Sequence, residues 1–275
     1  MILYYASASG DSFFDNFPVL ESYAYKNKAI KALKTHQNNF FLDSGTYTAR
    51  KTGLKVNLPD YANFIKDNNI QLYANIDDPA NNPDITYQNQ IELERLGIYP
   101  IPVFHAGCDF KWLDKYIETG YKYLAVGNMT RLKSQAKYKF LMSLFNHVCD
   151  TSGKPKIKIH GFGISRRKLL NDFPFYSVDS STWSFGSRAG HVLTISGKGI
   201  FIGKGYKHDS NHYNNLSENN KKLFDDFLLD FSGTSRVELL QNHSLINYHN
   251  VKVMEYWPKN NGIFIRPIMQ ESLFK

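Results

Sequence analysis

The feature that most constrains this chain is an alternation. Short apolar runs recur at residues 2–6, 39–42, 71–76, 99–104, 122–126, 156–159 and 176–178. Amphipathic stretches lie between them, at 58–67, 86–96, 110–119 and 134–148. Apolar runs of this length read as strands covered on both faces, and the amphipathic stretches read as the helices that cover them. Asn57 ahead of Leu58-Pro59-Asp60, and Asp84 ahead of Ile85-Thr86, supply helix starts. Strands that alternate with helices pair in parallel. Seven such units before residue 180 are too many for a small sandwich and predict an α/β fold, a (β/α)8 TIM-type barrel.

The pattern changes after Asp179. Residues 190–203 read as a β-hairpin turning at Ser196-Gly197-Lys198-Gly199. A polar, Asn-rich stretch follows at 207–220, and helical patterning resumes at 221–231. The expected eighth strand is 237–241, followed by a closing amphipathic helix at 244–257. The whole chain, 1–275, reads as a single barrel domain with an insertion at about 186–220 after the seventh strand.

Composition narrows the classes of partner. Against 25 Asp and Glu stand 33 Lys and Arg, a net charge of +8, which suits a polyanion such as nucleic acid. The 2 cysteines, Cys108 and Cys149, form no C-x-x-C pair, so a disulfide framework is not expected and a reducing, cytoplasmic setting is. The first residues lack the basic n-region of a signal peptide. No apolar stretch approaches the roughly 18 residues that span a bilayer, so no membrane partner is expected.

In a (β/α)8 barrel the chemistry sits at the carboxyl ends of the strands. Reading past each predicted strand gives Asp43, Asp77 with Asp78, His105, Gly127, His160-Gly161 and Asp179. One strand-end aspartate is ordinarily a turn or cap residue. Several aimed at one barrel mouth are a candidate site for acid/base or nucleophilic chemistry. Glycines 45, 107, 127, 161 and 163 let a flat ligand approach the backbone, and Tyr47, His160 and Phe162 are candidate stacking partners. Cations also cluster after strands: Arg50, Lys51, Arg131, Lys133, Arg166, Arg167, Lys168 and Arg188, a candidate rim for a phosphate backbone.

The ordered motifs resemble the tRNA-guanine transglycosylase superfamily, and within it the short phage proteins that place 7-deazaguanines in DNA, a modification that evades restriction. Asp43-Ser44-Gly45-Thr46-Tyr47 is similar to the family's Asp-Ser-Gly-Gly-(Phe/Tyr) loop. Asp77 matches its third-strand aspartate, and His105-Ala106-Gly107 stands where it has Gln-Gly-Gly. Leu124-Ala125-Val126-Gly127 repeats its Leu-Ala-Val-Gly, and His160-Gly161-Phe162-Gly163 is similar to its Met-Gly-Val-Gly. Val178-Asp179-Ser180 with Arg188 resembles its Phe-Asp-Cys nucleophile motif, and 239–248 its closing-helix entry. The likeness runs colinearly from about 39 to 257.

The resemblance implies a pentosyltransferase. Asp179 is the implied nucleophile and Asp43 the implied general acid/base. Asp77, Ser44, His105, Gly107, Gly127 and Gly161 bind the base, with Tyr47 and His160 stacking on it. Arg166, Arg167, Lys168, Arg188, Arg131 and Lys133 are the expected nucleic-acid contacts. DNA is the expected polymer, since the chain has no appended RNA-binding domain, and tRNA is the alternative. Guanine and a 7-deazaguanine are the exchanged bases. The family's tRNA enzymes hold a structural zinc through three cysteines and a histidine. Only the histidine has a counterpart, His243, with His208, Asp209 and His212 where the cysteines belong. A zinc-free, trimmed region is the expectation, with no cofactor and no catalytic metal. The residues alone leave other readings open: a base-excising or glycoside hydrolase using the same two carboxylates, a metal-dependent barrel hydrolase, or a non-catalytic nucleic-acid-binding subunit.

Overall fold

The computed structural model describes residues 1–8, 12–36, 39–53 and 56–265. Seven parallel strands make one sheet: β1 (Ile2–Ala6), β2 (Val19–Ser22), β3 (Phe40–Asp43), β4 (Val103–His105), β5 (Tyr123–Gly127), β6 (Lys158–Gly161) and β7 (Ser177–Ser180). They lie in the order β3-β2-β1-β7-β6-β5-β4. The two ends are joined by a bridging segment. Leu42 pairs with Tyr73 and Ala74 with Ile101, both in parallel. The joint consists of backbone bonds from Leu42 N to Leu72 O (3.0 Å) and Ala74 N to Leu42 O (2.9 Å) on one side. On the other, Asn75 N reaches Ile101 O and Ile101 N reaches Tyr73 O, each at 2.9 Å. Eight parallel stretches in chain order therefore close a ring, a (β/α)8 barrel.

Two strand assignments differ from the sequence expectation. The strand at Val19–Ser22 is an addition to it. Its four residues include a charged Glu21 and follow Pro18, so they carry neither an apolar run nor a clear alternation. The expected eighth strand at 237–241 is instead the helix Arg236–Gln241. A capping box decides it: the Ser235 hydroxyl accepts from Glu238 N while the Glu238 carboxylate returns to Ser235 N (2.7 Å). The hairpin stands where expected, after Ser177–Ser180, which is the barrel's eighth stave and not its seventh.

Alternation fixes what the barrel interior contains. Residues two apart on a strand share a face, and Tyr4, Ala6, Leu20, Phe41, Ala74, Ile101, Val103 and Ala125 form one apolar cluster. One step nearer the carboxyl ends, the same faces carry Ser22, Asp43, His105 and Gly127. The register sets Ser22 beside Asp43 and His105 beside Gly127. Helices cover the outside. Asn57 and Asn82 cap two of them, accepting from Asp60 N and Asp84 N, and each is followed by a proline in the first turn. Asp84 thus lies inside the first turn of its helix and is not the cap. Among the described residues, no helix is long and apolar enough to cross a membrane. Among the described residues, neither Cys108 nor Cys149 is in a disulfide.

The chain divides into two compact units. The first is residues 1–164, 169–179 and 260–275, and the second 165–168 and 180–259. The second unit holds the antiparallel hairpin of β8 (His191–Leu193) and β9 (Gly199–Phe201), with helices Glu218–Ser232, Arg236–Gln241 and His243–Tyr256. Val192, Ile200, Ile202, Phe224, Leu228, Leu239 and Ile246 are its core. Buried Asn250 fastens the hairpin to the last helix, accepting from Leu193 N (2.8 Å) and donating to His191 O (2.9 Å).

Phe41 fills the barrel centre and is fully buried against Tyr4, His160 and Phe162. Phe41→Ala is expected to lower unfolding free energy by about 3–5 kcal/mol, read by urea denaturation. A loss under about 1 kcal/mol would mean that this interior is not packed as described.

Candidate active site

The site is built from the last inward-facing positions of the barrel. Asp43 ends β3, and the next residues turn sharply. Gly45 N donates to Asp43 Oδ2 at 3.0 Å. Gly45 has φ +82, and a Cβ there would stand 2.8 Å from the backbone nitrogen of Ala24, so only glycine fits this turn. The helix Thr46–Thr52 starts directly after it.

Asp77 follows the bridging segment that closes the ring. Its Oδ2 is 2.7 Å from His105 Nε2, and its Oδ1 accepts from Ser44 Oγ at 3.4 Å. Ser44 is also hydrogen-bonded to Thr46 Oγ1 at 3.1 Å. Residues from β3, the bridging segment and β4 are thereby tied together across the mouth. Gly127 makes room for this: a Cβ there would lie 3.0 Å from His105 Cδ2.

Asp179 stands on β7, two residues after inward-facing Ser177, and retains 8% exposure. Its Oδ1 accepts from Gly163 N at 2.9 Å and lies 3.4 Å from His160 Nε2. Three carboxylates thus share one mouth, and the crowding acts on Asp43. Burial, then the charge of Asp77, raise its pKa from 3.8 to about 7, with a smaller contribution from Asp179. The hydrogen bonds from Gly45 and Ser22 oppose the rise. Asp43 is therefore poised to hold and to release a proton near neutral pH.

The structure brings together Asp43, Ser44, Asp77, His105 and Gly127 as expected. Tyr47 is 54% exposed on the helix after Gly45, with the Arg50 guanidinium 5.9 Å from its ring centre. Gly107 is exposed at φ +100 in the turn after β4. Gly161 serves packing, since the space of its missing Cβ is taken by Phe175 and Ile164. His160 does not stand in a stacking position. It is fully buried one layer below the mouth, edge-on to Phe41 (4.8 Å) and Phe162 (4.6 Å). Its strand register with Ala125 and Ser177 points it into the barrel, where no base can reach its face. Asp78 is a turn residue, accepting from Asn82 N at 2.9 Å.

Arg131 and Lys133 are exposed in the loop after β5. Arg166, Lys168 and Arg188 are exposed in the second unit, where Arg167 is half-buried against Gly197. The side chain of Lys51 lies outside the described residues. His212 has both ring nitrogens engaged, with Gly203 O (2.9 Å) and Asn214 N (3.2 Å), and His243 Nδ1 meets Ser187 O at 3.0 Å. Among the described residues, no three His, Cys, Asp or Glu side chains are grouped to hold a metal.

Ser22, Tyr123 and Ser177 join the site only in the folded chain, and Gly163, read from sequence as room for a flat ligand, gives its amide to Asp179. Ser177 and Tyr123 carry a signal readable in sequence: each sits at an inward position of a strand, where a polar side chain needs a partner.

No family model matches the chain, and no curated protein sequence matches it. Among solved structures it is similar to a point mutant of the tryptophan synthase α-subunit from the hyperthermophile Pyrococcus furiosus. The identity is 13% and the TM-score 0.39, over 66% of this chain and 87% of that one. The barrel assignment rests on the strand pairing.

Because the folded chain binds the Asp43 proton more tightly than the unfolded chain, stability from this group falls as pH rises from 3.8 to about 7. Above that range the buried charge is fully unfavourable. Asp43→Asn is therefore expected to be more stable than the wild type at pH 8, by about 1–3 kcal/mol. The gain should vanish toward pH 4. Equal differences at the two pH values, in thermal unfolding, would contradict the crowded-carboxylate picture.

Proposed function

We propose that this protein exchanges guanine in DNA for a 7-deazaguanine base through a covalent aspartyl–glycosyl intermediate. The observation that carries this reading is the unequal pair of carboxylates in one barrel mouth. Asp179 is held by a backbone amide, while burial and the charge of Asp77 bring the Asp43 pKa up to about 7. One is suited to attack and the other to proton transfer.

In the first half-reaction a carboxylate oxygen of Asp179 bonds to C1′ as the bond from C1′ to N9 of guanine breaks. The electron pair leaves with the base, and Asp43 supplies a proton to it. In the second half, Asp43 as carboxylate takes the N9 proton of the incoming 7-deazaguanine. That nitrogen attacks C1′ and Asp179 departs as carboxylate, so atoms and charge balance.

Asp77 accepts from the N–H groups on the purine edge, and its links to His105 and Ser44 keep it aimed. Tyr47 offers its exposed ring as a stacking face. A base inside a duplex cannot enter a barrel mouth, so the target nucleotide is flipped out or single-stranded. Arg131 and Lys133 on the first unit supply cations for the phosphate backbone, and the second unit has its own in Arg166, Lys168 and Arg188. The net charge of +8 agrees with such a substrate.

Incubating the purified protein with DNA and with tRNA in the presence of a labelled 7-deazaguanine tests the reading. Label retained in DNA is the expected result. Label in tRNA alone moves the substrate assignment, and guanine release without label in either polymer indicates hydrolysis. Asp179→Asn should lower the exchange rate by at least about a thousandfold and remove any covalent DNA adduct. A near-normal rate in that variant rejects the nucleophile assignment.

A further inference from the structure

Beneath the mouth runs a buried chain of polar groups that the mechanism above does not use. Tyr123 OH and Ser177 Oγ are 2.5 Å apart, and Ser177 Oγ is 2.6 Å from His160 Nδ1. His160 Nε2 is buried without a hydrogen bond and lies 3.4 Å from Asp179 Oδ1. Ser177 and His160 are both fully buried. We propose that His160 is a positioning residue for Asp179: it stands as the Nε2–H tautomer and, with Gly163 N, holds Oδ1, leaving Oδ2 as the oxygen that attacks C1′. This deepens the exchange reading and rests on it for the chemistry.

The direction of the chain sets the tautomer. Among the described residues the Tyr123 hydroxyl meets Ser177 Oγ and no other hydrogen-bond acceptor, so Tyr123 donates its proton to Ser177. The Ser177 proton then has Nδ1 as its acceptor. The hydrogen that Nδ1 gives up stands on Nε2, which faces Asp179. The other tautomer would turn an imidazole lone pair toward a carboxylate oxygen. The partner on one ring nitrogen thus fixes what the other presents, as in histidines held by a second group.

Two N–H groups converging on Oδ1 lock the carboxylate rotamer. They also stabilise the negative charge that returns to Asp179 when the incoming base displaces it. A fully buried histidine beneath the nucleophile has no other work in the mechanism.

Nitrogen-15 correlation spectra of the imidazoles test the tautomer without turnover, the His160 signals being assigned by their loss in His160→Gln. The expected spectrum has a neutral ring with hydrogen on Nε2, an Nε2 resonance that moves in Asp179→Asn, and mixed tautomers in Ser177→Ala. Hydrogen on Nδ1 in the wild type overturns the proposal, as does a Ser177→Ala spectrum identical to wild type. In the exchange assay, Ser177→Ala should lower kcat about tenfold with KM unchanged, and His160→Leu should lower it further. His160→Gln, which restores an N–H, should recover part of the loss. Wild-type kcat in both Ser177→Ala and His160→Leu overturns the proposal. A wild-type protein with the Nε2–H tautomer that exchanges no base supports the held carboxylate and rejects the exchange reading instead.

Discussion

Eight parallel strands closing on themselves leave a narrow interior, and every second side chain must fit inside it. Below the mouth that interior is apolar around Phe41, apart from the Tyr123–Ser177–His160 chain. At the carboxyl ends it is polar, and those polar groups have little room and few partners except one another. The features of the site follow from this crowding. Asp77 is bound by His105 and Ser44, Asp179 by Gly163 and Asp43 by Gly45, and Asp43 carries the cost of its burial first and of the Asp77 charge second. The raised pKa of Asp43 is thus a property of the barrel's cross-section as much as of residue 43.

Fold class and site position were legible from local pattern. Covered strands followed by amphipathic helices announce a parallel barrel, and its exits then name Asp43, Asp77, His105 and Asp179. What was not legible depended on long-range packing. Val19–Ser22 is a strand because its neighbours β1 and β3 supply the hydrogen bonds, not because its residues favour one. His160 reads from sequence as an exit residue, but the register of β6 sets it one layer lower, facing Ala125 and Ser177. A slip of two positions in depth separates a ligand-stacking residue from a buried one. The helix at Arg236–Gln241 was legible, since Ser235-x-x-Glu238 is a capping box, and the apolar count of 237–241 concealed it.

The second unit shows the same rule applied to a smaller core. Asn250 and His249 are buried on the last helix and answer backbone groups of the hairpin, His249 Nε2 meeting Leu193 O at 2.8 Å. Burial lowers the His249 pKa to about 4, so the ring stays neutral and serves as a fixed hydrogen-bonding spacer. Through these bonds the two polar residues tie the helix to one defined pair of backbone groups on the hairpin.

The joint that closes the ring has a further meaning. Between β3 and β4 the barrel is completed by the short bridging segment around Leu72–Asn75, and the Ser44–Asp77–His105 links cross the same gap a few residues further along. The residues proposed to read a purine edge are therefore also the clasp of the ring. A substitution at 44, 77 or 105 thus bears on the closure of the ring and on the aim of Asp77 together.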